Sequence, residues 1–159
     1  MVYLDSSALV KRYVKEAGTE ELAAKLQVEE STSPAVFTSI LTYAEIHATL
    51  ARKFRDKSLR PKGFAHARRE FDTDWAFGLT IINLETSILA SVRTLVREFP
   101  LKGSDAIHLA SALWLLHSTQ LRSQARVGTG ELVFVTSDKK LGRAAVRNRL
   151  KVFDPQSRS

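Results

Sequence analysis

Four carboxylates in this 159-residue chain stand where chemistry is expected. Asp5 closes the apolar run Val2-Tyr3-Leu4 and is followed by two small hydroxyl residues, Ser6 and Ser7. Asp138 follows the run Leu132-Val133-Phe134-Val135-Thr136 and its neighbour Ser137. Asp105 opens the apolar stretch from Ala106 to Leu116, and Glu45 lies about a turn into the segment that begins at Leu41. A brief apolar run ended by a turn signal predicts a strand buried on both faces. In an open α/β sheet, ligands bind beyond the carboxyl ends of such strands. If the strands are parallel, the elements carrying all four acids begin at that one edge. The carboxylates then converge although 133 positions separate Asp5 from Asp138.

Gathered carboxylates repel, and their pKa values rise unless something neutralises them. Helix N-termini supply only about 0.3–1 kcal/mol each. A divalent cation does far more, and oxygen donors without cysteine or histidine suit Mg²⁺ or Mn²⁺. Such a site predicts one or two ions bridging a phosphodiester, where the metal activates a water and offsets charge on the leaving oxygen. Ser6 and Ser137 are placed to support or join the ligand set. Each residue also has a plainer role. Asp5, Asp105, Asp138 and the two serines are good helix caps or first-turn residues, and Glu45 can pair with Thr49 or Arg52 on a helix surface. Four such coincidences at one sheet edge are harder to accept than one.

The elements that must position these acids alternate. Strands are expected at the N-terminus, 35–40, 79–84 and 132–136, with a last edge strand over 150–153. Helices are expected over 8–15, 19–26, 41 to 55 or 57, 64–77, 85–99, 104–117 and 139–147. Gly18 ends the first helix, Pro61 and Gly63 mark a loop, and 29–34 and 121–130 read as polar loops. The stretch 104–117 is apolar around most of its circumference, as in a helix buried on several sides. Alternating strands and helices predict a three-layer α/β/α sandwich with a mostly parallel sheet of four or five strands. Length and the absence of an internal linker predict one domain over 1–154 and a loose tail over 155–159.

Composition bounds the partners. Cysteine is absent, which excludes a disulfide framework and thiolate metal sites and agrees with a reducing cytoplasm. No apolar run reaches the roughly 18 residues of a membrane span. The N-terminus lacks the order of a signal peptide, because Lys11 and Arg12 follow the apolar segment instead of preceding it. The formal charge is +7, of which +6 falls in residues 121–159. A second basic cluster includes Arg52, Lys53, Arg55, Lys57, Arg68 and Arg69. Clustered cations suit a polyanion such as nucleic acid, or simply a solvated surface. Lys11, Arg12 and Arg52 are candidates for contact with an RNA backbone. His108, a turn after Asp105, reads as a hydrogen-bonded structural histidine in preference to a site residue. His47, His66 and His117 show no ligand spacing.

The motifs Tyr3-Leu4-Asp5-Ser6-Ser7-Ala8-Leu9-Val10-Lys11, Thr42-Tyr43-Ala44-Glu45-Ile46, Ser104-Asp105-Ala106-Ile107-His108-Leu109-Ala110 and Val135-Thr136-Ser137-Asp138 give the chain a further reading. In this order and spacing it resembles the PIN-domain nucleases, and among them the VapC-type toxins of toxin–antitoxin pairs. The resemblance covers nearly the whole chain. It implies endonucleolytic RNA cleavage with Mg²⁺ or Mn²⁺, with Asp5, Glu45, Asp105 and Asp138 matching the family's four acids. It also implies a homodimer and inhibition by a cognate VapB-type antitoxin. Asp138 is the least uniform of the four. Two other functions compete. One is an α/β phosphoryl-transfer domain with Asp5 as nucleophile, although Ser7 stands where a second acid would be wanted. The other is a non-catalytic RNA-binding module, in which unneutralised acids would repel phosphate.

Overall fold

The computed structural model describes residues 1–27, 35–123 and 131–157. Within them the chain alternates as expected. Strand β1 (Val2–Leu4) leads into helix α1 (Ser6–Leu9), a 3₁₀ turn (Val10–Arg12) and α2 (Thr19–Gln27). Then come β2 (Val36–Ser39), α3 (Leu41–Arg55), α4 (Pro61–Phe77), β3 (Thr80–Ile82), α5 (Thr86–Glu98) and α6 (Gly103–Ser123). Strand β4 (Val133–Val135), α7 (Lys139–Arg147) and β5 (Lys151–Phe153) complete the order.

The five strands are all parallel, in the order β3-β2-β1-β4-β5. The central strands are short and apolar because both their faces are covered. Successive side chains alternate between the faces. Tyr3 and Phe134 point to one side, where their rings stack 5.3 Å apart among residues of α5, α6 and α7. Val2, Leu4, Val133 and Val135 point to the other, against α1 to α4. The chain winds from β1 toward β2 and β3, then returns to the far side of β1 for β4. That reversal opens a crevice at the carboxyl ends of β1 and β4, the place where doubly wound sheets bind ligands. Asp5 and Asp138 follow those two strands.

Some boundaries differ from the sequence expectation. The helix expected over 8–15 is an α-helical turn that starts at Ser6 and tightens into 3₁₀ geometry by Val10. Pro61 and Gly63 belong to α4 and not to a loop. Proline at the first helical position forfeits no intrahelical hydrogen bond and brings a helical φ with it. Helix α6 continues to Ser123, into the stretch read as loop; residues 124–130 and the expected loop 29–34 lie outside the described residues.

Gly18 does turn the chain, with φ at +87°. A methyl group there would lie 2.7 Å from the carbonyl oxygen of Pro155. Gly18→Ala is therefore strained twice, in the backbone and by a clash with Pro155 where the tail packs before α2. It is expected to lower the unfolding free energy by about 2 kcal/mol. Urea denaturation with an unchanged midpoint would contradict this.

Candidate active site

The site begins with the backbone of Asp5. Its extended φ/ψ of −78° and 173° ends β1 and places its carboxylate at the N-cap of α1. One carboxylate oxygen, Oδ1, accepts from the Ala8 amide at 2.8 Å. The Ser7 hydroxyl stands 2.9 Å from both oxygens, and Thr136 Oγ1 donates to Oδ2 at 2.7 Å. Asp5 is thus a cap and also a buried carboxylate, only 3% exposed, held by three groups. Burial pushes its pKa above the ordinary range, against the charge of His108 and the bonds from Thr136, Ala8 and Ser7. With both oxygens occupied behind Ser7, Asp5 is poorly presented as a nucleophile for in-line attack on phosphorus.

Two hydroxyls join the ends of β1 and β4. Thr136 Oγ1 donates to Asp5 and accepts from the Asp138 amide at 3.0 Å. Ser7 Oγ accepts from the Ser137 amide at 3.0 Å. Sequence reasoning assigned no role to Thr136. The available signal was a hydroxyl residue beside each strand-end acid, but only tertiary pairing shows which acid it serves.

Glu45 reaches the site from the second turn of α3. Its Oε2 lies 2.7 Å from His108 Nε2, and the Nδ1 of the same ring lies 3.0 Å from the Tyr3 hydroxyl. His108 is 1% exposed. It is the structural histidine expected from the sequence, but its partner is a site acid. Burial raises the Tyr3 pKa well above its ordinary value, so the phenol keeps its proton. An ionised Glu45 accepts from the His108 Nε2–H, and the Tyr3 hydroxyl pairs with Nδ1 of the same ring. This relay ties β1, α6 and α3 together. Burial would raise the Glu45 pKa, but the His108 bond and charge, with the Ser6 and Ser104 hydroxyls, hold it below the usual range. The pairing of Glu45 with Arg52 is not what forms.

Asp105 lies in the first turn of α6. Burial pushes its pKa up and the charge of Asp138 adds to that, so these two acids sense one another. Asp138 Oδ1 caps α7, accepting from the Lys140 and Leu141 amides at 2.7 and 2.9 Å. A cleft of about 520 Å³ has Ser6, Ser7, Glu45, Arg52, Asp105 and Ser137 among its walls. Asp5 sits behind Ser7, and Asp138 lines the groove next door.

The predicted cations divide. Lys11 is 2% exposed, and its ammonium bonds Glu16 at 2.8 Å. It is a buried partner in an ion pair, not a free surface charge, because the 3₁₀ turn after α1 aims it inward. Arg12 binds Asp74 of α4 at 2.8 Å, and Tyr13 bonds the same carboxylate oxygen at 2.9 Å. Its charge is thereby committed to holding α4. Arg52 is exposed in the cleft and forms no ion pair among the described residues. It alone of the three keeps the availability expected of it.

The donor set suits a hard divalent cation. It consists of carboxylate and hydroxyl oxygens, and the Ser137 hydroxyl at the cleft is buried with no hydrogen-bond partner. Buried polar groups seldom go unpaired, so this one marks a place for a further ligand. Among the described residues no three of His, Cys, Asp and Glu come together closely enough to hold a metal ion as they stand. Glu45 is turned to His108, and one oxygen of Asp138 to the α7 amides. The residues fit by chemistry and location, with the carboxylates held by their own chain.

A parallel sheet with strand-end acids around its crevice is shared by α/β nucleases and phosphoryl-transfer domains, and the sequence decides between them. Residues 2–147 match the PIN domain family, and the chain belongs to it. Among its relatives are Ribonuclease VapC45 and Ribonuclease VapC49 of two Mycobacterium tuberculosis strains. Each is 35% identical over 113 residues, spanning 71% of this chain and 75% of the relative. VapC-type PIN nucleases generally depend on a divalent metal. The fold also resembles a toxin–antitoxin complex from Klebsiella pneumoniae, with a TM-score of 0.55 and 22% identity over 98% of each chain. VapBC2 from Rickettsia felis, solved on a DNA fragment from its promoter, gives 0.60 and 13% identity over 97% of this chain and 98% of that one. No helix among the described residues is long and apolar enough to cross a membrane.

Proposed function

We propose that this protein is an endoribonuclease of the VapC type that uses Mg²⁺ or Mn²⁺ and acts as the toxin of a VapBC pair in the cytoplasm. Asp5, Glu45, Asp105 and Asp138 hold the metal, with Ser6 and Ser137 supporting them. The supporting observation is the buried carboxylate of Asp5, fixed by Ser7, Ala8 and Thr136 beside a cleft that carries Glu45 and Asp105. Its partners are RNA, a VapB-type antitoxin and a second copy of the chain.

A bound divalent cation supplies Lewis acidity and offsets the charge that develops on the phosphoryl and leaving oxygens. The chain's own residues do the rest. Glu45, held ionised by His108, is a fixed negative charge. Asp105, on the cleft wall with Glu45, is the acid we assign to take a proton from water. Arg52 is placed to bind a phosphate. Water adds to phosphorus as the bond to the 3′ oxygen breaks, one proton leaves the water and one joins the leaving oxygen. The products are a 5′-phosphate and a 3′-hydroxyl. Purified protein with RNA and Mg²⁺ or Mn²⁺ is expected to give internal cuts with those ends and none in chelator. Cyclic 2′,3′-phosphate ends would overturn the hydrolytic reading.

Thr136→Val tests the support of the acids. Valine matches the shape but leaves the Asp138 amide unpaired and removes one of the donors to Asp5. Cleavage is expected to fall about 10–100-fold, with about 1–3 kcal/mol lost from stability. Thr136→Ser, which keeps the hydroxyl, should restore most of the activity. Equal rates for the valine and serine variants would remove Thr136 from the site.

A further inference from the structure

We infer that the outer face of α7 is a track for the phosphates of the RNA strand leaving the cleft. This rests on the ribonuclease reading. Helix α7 buries Leu141, Ala144 and Ala145 and turns Lys139, Lys140, Arg143 and Arg147 to solvent. Residues 139, 143 and 147 recur every fourth position, so their side chains follow one face in steps of about 6 Å. Beside this face runs a groove of about 460 Å³ with Asp138 and Asp154 in its wall and Lys139, Arg143 and Arg147 along its α7 side. The groove starts at a candidate metal-binding acid and leads away from it.

The charges are not used inside the fold. Lys11, Arg12 and Lys53 each hold a carboxylate. The four cations of α7 form no ion pair among the described residues. Arg147 suits the last turn of the helix, but the other three cations are less well placed. Like charges four residues apart repel, and Lys139 and Lys140 sit at the N-terminal end, where the helix dipole disfavours cations. A polyanion laid along this face offsets both effects, and release of its counterions favours binding. Val146, 59% exposed on the same helix, offers apolar surface to a sugar or base.

The test compares Arg143→Gln/Arg147→Gln with Arg93→Gln/Arg97→Gln, a charge-matched pair of exposed arginines on α5. Binding of a short fluorescein-labelled single-stranded RNA is read in EDTA across a salt series. Removing two phosphate contacts should flatten the slope of log affinity against log salt by about 1.4. At about 0.1 M salt, affinity should fall by about 25-fold, taking equal affinities at about 1 M. The α5 pair should leave the slope unchanged. With Mg²⁺ present, the α7 pair should raise KM for RNA and keep kcat and the 5′-phosphate ends. That retained cleavage at saturating RNA separates this inference from the ribonuclease reading, since either can fail without the other. An unchanged slope and KM for the α7 pair would overturn the track. So would equal losses in both pairs, or an unchanged RNA slope with weakened binding of polyglutamate, which would assign the face to an acidic polypeptide.

Discussion

Asp5→Asn is expected to reduce RNA cleavage by about 1,000-fold or more while the protein stays folded. The substitution keeps the size and the hydrogen-bonding capacity of the side chain. Ser7 and Thr136 can rotate their hydroxyls to suit an amide, and the Ala8 amide still finds an oxygen. What disappears is one negative charge at the switch point of the sheet, where the proposed metal site lies. Stability should move the other way. The Asp5 pKa is raised above 3.8 by burial, so the folded state binds this proton more tightly than the unfolded chain does. Stability contributed in acid is lost as pH rises through the window between 3.8 and the higher folded value. At neutral pH, in chelator, the ionised carboxylate is a burden that asparagine does not carry. The melting temperature of Asp5→Asn should equal or exceed that of the parent protein. Added Mn²⁺ should raise the melting temperature of the parent and leave that of the variant unmoved. Cleavage by Asp5→Asn at more than a tenth of the parent rate, or a matching Mn²⁺ shift in the variant, would sink the assignment of Asp5.

Glu16→Gln, at an acid of the cleft wall other than the four candidate metal ligands, should be strongly destabilising, whereas Lys11→Met should be mild. Glu16 holds two ammonium groups, Lys11 and Lys53, each at 2.8 Å through a different carboxylate oxygen. The Lys11 side chain is 1% exposed. Removing the single anion leaves a buried cation with no counter-charge beside a second cation. Breaking such a pair costs about 3–5 kcal/mol, and the partial exposure of Glu16 puts this case near 3. Removing Lys11 instead leaves a balanced Lys53–Glu16 pair and a buried methionine, a change of about 1 kcal/mol or less. The pH signature is opposite to that of Asp5. Burial would raise the Glu16 pKa, but the bonds and charges of Lys11 and Lys53 hold it below 4.5. Glu16 therefore contributes stability above pH 4.5 that is lost as pH falls through its lower folded value. Glu16→Gln should abolish that part of the acid dependence. Urea titrations across pH in which Lys11→Met is the worse variant would refute this charge arithmetic.

Legibility in the sequence followed the range of the interactions involved. Strands β1 and β4 could be read because a strand covered on both faces needs an uninterrupted apolar run. Helix α7 was read to the residue, since Asp138 caps it and its charges alternate with Leu141, Ala144 and Ala145. Pro61 and Gly63 misled because residues that punctuate loops also open helices. Lys11 and Arg12 misled for another reason. A cation near an acid in sequence suggests a phosphate contact, but its availability depends on distant partners. Asp74, 61–62 residues away, decides the fate of Tyr13 and Arg12. Glu16 is near Lys11 in sequence, yet Lys53, 37 residues further on, completes that cluster.

By itself the sequence determined the alternation of strands and helices, the α/β/α class and the acids that end or open its elements. These depend on periodicity and local turn chemistry, which span a few residues. The tertiary structure decided which groups hold those acids. Thr136 joins Asp5 to Asp138, the Tyr3–His108 relay sets Glu45, and Glu16 draws Lys11 away from the surface. Those outcomes come from the winding of the sheet, because hydrogen bonds and ion pairs act over a few ångströms in space and are indifferent to separation along the chain.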